Sequence, residues 1–378
     1  MKINKMLAFF TFLPLGLWVL GCSAAAQPGQ GTASTPVLQQ IIRGLRKQEA
    51  GVRNMRVWAT TKYSQLNKDG KRFQDGGQTR LAAVYARGGR FSMRVHDVTG
   101  GYLILIRLDS PYMVSSYLAT YNGRVGMTYN LKAGYLGRVH PQRTGTISGR
   151  PPRLGLSEGR WTGRTFSTWG LPQLLDWDAS HNPPAYQQMT LLDFLEHPPH
   201  KTAITAHWAA DQSGRRVAVL TIIWQSKDVI VLDPARNFSL VQDRQYFAAG
   251  WPPLPPGPVR WQTRPGTAFT VTGFWQPAPG VYYPKSVEDE FYAFKISKDR
   301  PVDKNIVNVT RVLVNDPKVN SGTFVIHFPM GATVTDESTG QVIHIGGTPQ
   351  QQMKEIDKAV AAARKAVATQ PSARDGGK

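Results

Sequence analysis

The chain has 378 residues, 41% of them hydrophobic and ten of them Trp, an ordinary globular composition that is enough for one large domain or two small ones. Its single cysteine, Cys22, excludes a disulfide framework and cysteine-ligated zinc or iron–sulfur centres. Lys and Arg number 45 against 25 acidic residues, a formal charge of +20 that calls for a polyanionic partner or a heavily solvated surface.

Lys2 and Lys5 precede an apolar stretch, Met6 to Leu20, that is shorter than the ~20 residues needed to span a bilayer. This is the build of a secretion signal over residues 1–21. It ends Val19-Leu20-Gly21-Cys22-Ser23, which resembles the lipobox of bacterial lipoproteins. There the cysteine thiol takes the lipid, palmitate being a usual acyl group, and Gly21 lets the peptidase reach the backbone. With Cys22 acylated, thiol catalysis is excluded. Ser23, rather than Asp, in the next position implies sorting to the outer membrane. Losing Lys2 and Lys5 leaves +18 on the mature chain. An exported lipoprotein meets little nucleic acid, so the expected polyanion is an anionic membrane surface facing the periplasm or another envelope polyanion.

Residues 22–34, rich in Ala, Gly, Gln and Pro, read as a lipidated flexible tether that reaches at most ~45 Å. Thr35 as a cap and Pro36 at the first position open a helix whose stripe is Val37, Leu38, Ile41, Ile42 and Leu45, ending near Gly51. From Met55 the period becomes two. Phe91, Met93 and Val95 alternate with Arg90, Ser92, Arg94 and His96, a half-buried strand. Further strand-like runs are 78–87, 102–108 and 112–121, and Asn122-Gly123 signals a hairpin. Residues 132–199, rich in Gly, Pro and Arg, read as an insertion or lid, with short helices at 171–177 and 191–197.

Strands resume at 202–209, 216–225, 228–232, 238–247, 268–275, 282–294, 305–315 and 323–329. The fold class is mainly β: a curved antiparallel sheet or unclosed half-barrel over 35–347, with an N-terminal helix, a lid and a C-terminal helix. The strands at 102–106 and 217–224 are apolar on successive residues, so both their faces are expected to be covered. Residues 348–378 read as a basic helix with the seam Met353, Ile356, Val360, Ala363 and Val367, followed by a disordered tail.

No catalytic constellation appears, and no metal or cofactor is expected. The eight histidines are scattered, and His197-Pro-Pro-His200 has no acidic ligand nearby. Asp176 and Asp178 read as helix-end polar residues, and Glu288-Asp289-Glu290 as a solvated strand edge. Apolar surface is what the strands do offer. Phe91, Met93 and Val95, on the apolar face of the cleanest strand, are the candidate ligand-binding residues; they either line a cavity or fill a core.

The order of signal, amphipathic helix, Gln48-Glu49-Ala50 leading into a strand, and a long antiparallel series resembles the LolA/LolB-like superfamily of periplasmic lipoprotein carriers and lipid-binding lipoproteins. Within it, the chain looks like the LolA-like envelope proteins common in planctomycete-type bacteria. The likeness is carried by Tyr121-Asn122-Gly123, residues 232–238 (LDPARNF), residues 280–285 (GVYYPK) and residues 328–336 (FPMGATVTD). It implies an unclosed barrel with a helical lid and an apolar cavity for a lipid or a lipidated protein, without enzymatic activity. The chain departs from the soluble carrier in its length and its anchor. The alternatives are an envelope scaffold or sensing protein with a filled cavity, and a hydrolase of envelope polymers.

Overall fold

The computed structural model describes residues 35–66, 73–86, 90–97, 112–135, 138–149, 191–198, 202–223, 226–248, 259–292 and 300–346, with helical positions at 351, 354, 358 and 361. The signal and Cys22, the tether, the strand expected at 102–108, the helix at 171–177, Asp176, Asp178 and the C-terminal seam lie outside the described residues. Helix α1 (Pro36–Ala50) forms as its residues dictate. Thr35 Oγ1 accepts from the Leu38 amide at 3.2 Å, and Leu38, Ile41, Ile42 and Leu45 make the buried stripe.

Fifteen strands build one sheet: β1 (Asn54–Leu66), β2 (Phe73–Ala86), β3 (Arg90–Asp97), β4 (Tyr112–Tyr121), β5 (Gly126–Tyr135), β6 (Arg138–Ser148), β7 (Ala203–Ala210), β8 (Arg216–Ile223), β9 (Lys227–Asp233), β10 (Ser239–Tyr246), β11 (Thr267–Ala278), β12 (Val281–Phe291), β13 (Asp303–Val314), β14 (Thr333–Asp336) and β15 (Val342–His344). A second helix, α2 (Leu191–Glu196), precedes β7. The order across the sheet is β15-β14-β6-β5-β4-β3-β2-β1-β13-β12-β11-β10-β9-β8-β7. Among the described residues the end strands β15 and β7 do not pair, and the fold is an unclosed, mainly β half-barrel. Two antiparallel runs, β1–β6 and β7–β13, meet where β1 pairs with β13. Every pairing is antiparallel except β14 on β6.

The two faces are filled differently. On the inner face α1, α2 and strands β1 to β4 and β7 to β13 share one apolar core that includes Leu45, Met93, Phe194, Leu220 and Phe269. On the outer face a second core, Met127, Tyr129, Ile147, Ile326, Phe328 and Val334, packs the chain after β13 against β5 and β6. This C-terminal strap crosses the sheet and ends in the β14–β15 hairpin.

Several expectations shift at the strap and at its support. The sheet extends through β6, so residues 138–148, expected in the insertion, are a strand. Gly145 and Pro141 hide its alternation. Residues 323–329, expected as a strand, begin in a 3-10 turn and continue extended without a ladder, Ile326 and Phe328 buried and His327 exposed. In β8, Ala218, Leu220 and Ile222 are buried inward, while on the other face Val217 is buried and Val219, Thr221 and Ile223 are half-buried, so that face is covered only in part. Residues 288–290 lie in β12, inside the sheet and not at an edge.

Candidate functional site

The inner face is the candidate site. Among the described residues its cover is two helices of unequal hold. The C-terminal half of α1 is fastened through several bonds: Gln48 Nε2 donates to the Tyr282 carbonyl at 3.0 Å, and Asn315 Nδ2 to the Gly51 carbonyl at 2.9 Å. Gly44 lies so close to Phe238 that a Cβ there would sit 2.2 Å from the ring. Phe238 is presented by a turn in which Asn237 adopts φ 51° and donates to the Gly280 carbonyl at 2.7 Å. Two segments singled out in the sequence, 232–238 and 280–285, thus meet here. The turn itself starts at Asp233, which accepts from the Ala235 amide at 2.9 Å and pairs with Arg236.

Helix α2 has only six residues and is held by the burial of Leu191, Leu192, Phe194 and Leu195. A helix this short has almost no stability of its own. One polar link to α1 is the pair Arg46–Glu196 at 2.6 Å, with Arg46 61% exposed, a contact of small net worth.

Phe91, Met93 and Val95 face inward and are buried at 8%, 1% and 1% exposure within this core. Met93 lies opposite Ala83 on β2 and Ala119 on β4, small residues that leave it room. Phe91 sits between Tyr85 and Tyr121, each ring 6.4 Å away. Burial pushes the Tyr121 hydroxyl's pKa up. The three candidates are therefore brought together with the helices.

A polar band on the same face was not anticipated. One row runs Asn305–Asp289–Phe269–Asp243–Ile230 across five strands, and the next runs Thr267–Gln245–Asp228. Asp228, Asp243 and Asp289 are buried and each engages another group. Ser226 Oγ donates to Asp228 at 2.8 Å and accepts from Gln245 Nε2 at 3.2 Å. Thr61 Oγ1 and Asn305 Oδ1 are buried without a hydrogen-bond partner. Period-two reading could have found the band, because Asp289 shares a face with Val287, and Asp228 with Ile230. The neighbours Glu288 and Glu290 face outward, toward Lys304 at 2.7 and 3.7 Å. The inner face is thus amphiphilic, apolar under the helices and polar along one end.

The outer face of β10–β12 holds a cleft of about 460 Å³ lined by Gln242, Arg244, Arg264, Thr270, Glu290 and Tyr292. Tyr292 donates to Glu290 at 2.8 Å, and burial together with that carboxylate pushes its pKa up to about 12. These polar walls do not suit an acyl chain. Among the described residues no His, Cys, Asp and Glu cluster has metal-binding geometry, and no helix is long and apolar enough to cross a membrane.

No family model and no curated protein matches the chain. Among solved structures, it is similar to a DUF1329 family protein from Desulfovibrio piger ATCC 29098, at 9% identity over 81% of this chain and 100% of that one, with a TM-score of 0.41. A putative outer membrane lipoprotein-sorting protein domain from Vibrio parahaemolyticus follows at 10% identity, 76% and 97% coverage and a TM-score of 0.38. MucB matches at 11% identity, 74% and 94% coverage and a TM-score of 0.23.

Proposed function

We propose that the protein is a non-catalytic cell-envelope lipoprotein that holds an acyl chain, from a lipid or a lipidated protein, on the inner face of its half-barrel. One observation carries this reading: among the described residues, the apolar inner face is covered by helices α1 and α2, the second only six residues long. The weakly held α2 presents four apolar side chains to that face, and an acyl chain can replace them one methylene group at a time, each buried methylene contributing ~0.8 kcal/mol. The polar band at one end would receive a head group carrying hydroxyl or amide donors, because Thr61 and Asn305 keep unmet acceptors there. Cys22 supplies the anchor, facing the periplasm and, with Ser23 after it, at the outer membrane.

The continuity of the core through Phe91, Met93 and Val95 favours a second reading, a scaffold or sensing protein whose inner face is permanently filled by its own helices. Saturable uptake of a fluorescent fatty acid separates the two. A chain starting at Ser23 contains the whole compact unit Ser34–Lys378. It should bind at about one site; a folded sample without saturable uptake of any acyl probe leaves the scaffold reading.

A further inference from the structure

The outer face is covered by the strap over β4 to β6 but carries basic and aromatic residues over β13, β1, β2 and β3. One row runs straight across these four strands as Arg311, Trp58, Ala82 and Arg94. Arg56 and Arg311 stack over Trp58, with guanidinium carbons 5.9 and 5.1 Å from the ring centre. A bulge at Thr310, whose hydroxyl donates to the Trp58 carbonyl at 3.2 Å, sets Arg311 directly opposite the indole. In the adjacent rows Arg80 faces Thr60, and Lys62 faces Gln78. Lys62, Arg80, Arg94 and Arg311 are exposed. The described outward side chains of β1 to β3 include no acidic residue, and Asp316 lies 3.3 Å from Arg56 at the margin of the patch. Strands lie ~4.8 Å apart, so the row from Arg311 to Arg94 covers ~14 Å on an open pleated surface.

We propose that this face docks on the anionic phospholipid surface of the membrane to which the chain is tethered. Charge complementarity selects the partner: cations laid out in two dimensions on an open sheet match a plane of headgroups. A groove would instead select an extended acidic peptide. Trp58, part-buried between two guanidiniums, has the amphipathic ring that settles at a headgroup interface. The tether expected at residues 22–34 reaches no more than ~45 Å, which keeps the face within range of the bilayer. The acyl site lies on the opposite face of the sheet, so the two proposals stand or fall separately.

The test uses the chain from Ser23, which lacks the lipid, with vesicles of phosphatidylcholine alone or with phosphatidylglycerol added. Binding should require phosphatidylglycerol and fade as salt shortens the Debye length from ~10 Å at 0.1 M to ~3 Å at 1 M. Lys62→Gln, Arg80→Gln and Arg94→Gln combined should weaken partitioning at least tenfold, on the order of a factor of five per cation removed at a charged surface. A control that removes equal charge elsewhere, Arg43→Gln, Lys47→Gln and Lys318→Gln, should lose less than about threefold if the face is specific. Circular dichroism of each variant verifies the fold. Equal losses in both triple variants would show a whole-molecule charge effect and overturn the proposal. So would binding to phosphatidylcholine alone, or capture of polyglutamate but not of vesicles. Acyl-probe uptake measured on the same face variant should be unchanged, which separates failure here from failure of the inner-face reading.

Discussion

At the scale of single residues, two positions state the rules of this sheet. Thr61 is 7% exposed on the inner face and its hydroxyl has no partner. A buried unmet hydroxyl costs ~1–3 kcal/mol. Thr61→Val keeps the shape and removes the group, so urea unfolding should show a gain of about 1 kcal/mol; a loss would mean that the hydroxyl is satisfied. Gly145 is the converse. A Cβ there would lie 2.4 Å from the Phe328 ring and 2.6 Å from the Thr128 carbonyl, and backbone cannot give way. Gly145→Ala should cost ~1–3 kcal/mol by overpacking, read in the same denaturation experiment. Neither residue was legible as important. Threonine is at home in a strand, and a glycine in one reads as a weakness until the partner ring is known. The turns, by contrast, were legible. Asn122 Oδ1 accepts from the Arg124 and Val125 amides at 3.0 and 2.9 Å, and Gly123 has φ 95°, as an Asn-Gly pair between two strands demands.

At the scale of elements, α1 and most strands follow from period and capping, while the strap does not. Thr333–Asp336 and Val342–His344 are four and three residues long, too short for an alternation to show. Their parallel and hairpin partners are set by long-range packing of Phe328 on Tyr129, rings 6.0 Å apart at 74°. The hairpin hangs on Asp336. Burial pushes its carboxyl pKa up, but hydrogen bonds from Ser338 and Thr339 outweigh this and hold it below its ordinary 3.8. A folded pKa below the unfolded one gives stability that is present above pH 3.8 and lost as pH falls through the lower folded value. Hydrogen-exchange protection at 333–344, taken relative to the intrinsic rate at each pH, should therefore fall below that pH in the wild type, and Asp336→Asn should flatten the dependence. Helix α2 is the other element whose role can be read from its hold. Phe194→Ala weakens the cover and leaves the sheet side of the site intact. If α2 competes with ligand, apparent affinity rises with the open fraction, roughly tenfold for each ~1.4 kcal/mol of cover removed. Fluorescent fatty-acid titration checks this, and an unchanged affinity would free α2 from any gating role.

At the scale of the whole molecule, the mainly β, unclosed architecture was legible because about a dozen alternating runs follow one another with few helices between them. The amphiphilic character of the inner face was only half legible. Apolar runs signalled a covered face, but Asp289 read as part of a solvated strand edge, and only register places it on one face with Asp228 and Asp243. What the whole inner face does turns on whether it opens, and Met93 is the place to ask. It is 1% exposed, midway along β3, with Ala83 and Ala119 opposite. Met93→Trp adds a bulky ring at the centre of the face. If α2 and its neighbours yield to an acyl chain, they yield to the indole as well. Stability then falls only modestly and acyl-probe uptake disappears in a folded protein. If the face is a closed core, the ring has nowhere to go, and overpacking costs ~1–3 kcal/mol or more. Any uptake is then lost only in proportion to unfolding. Paired measurement of the urea midpoint and of probe binding on one sample decides between these outcomes. A folded, stable Met93→Trp protein that still binds the probe as the wild type does would place the ligand away from β3 altogether.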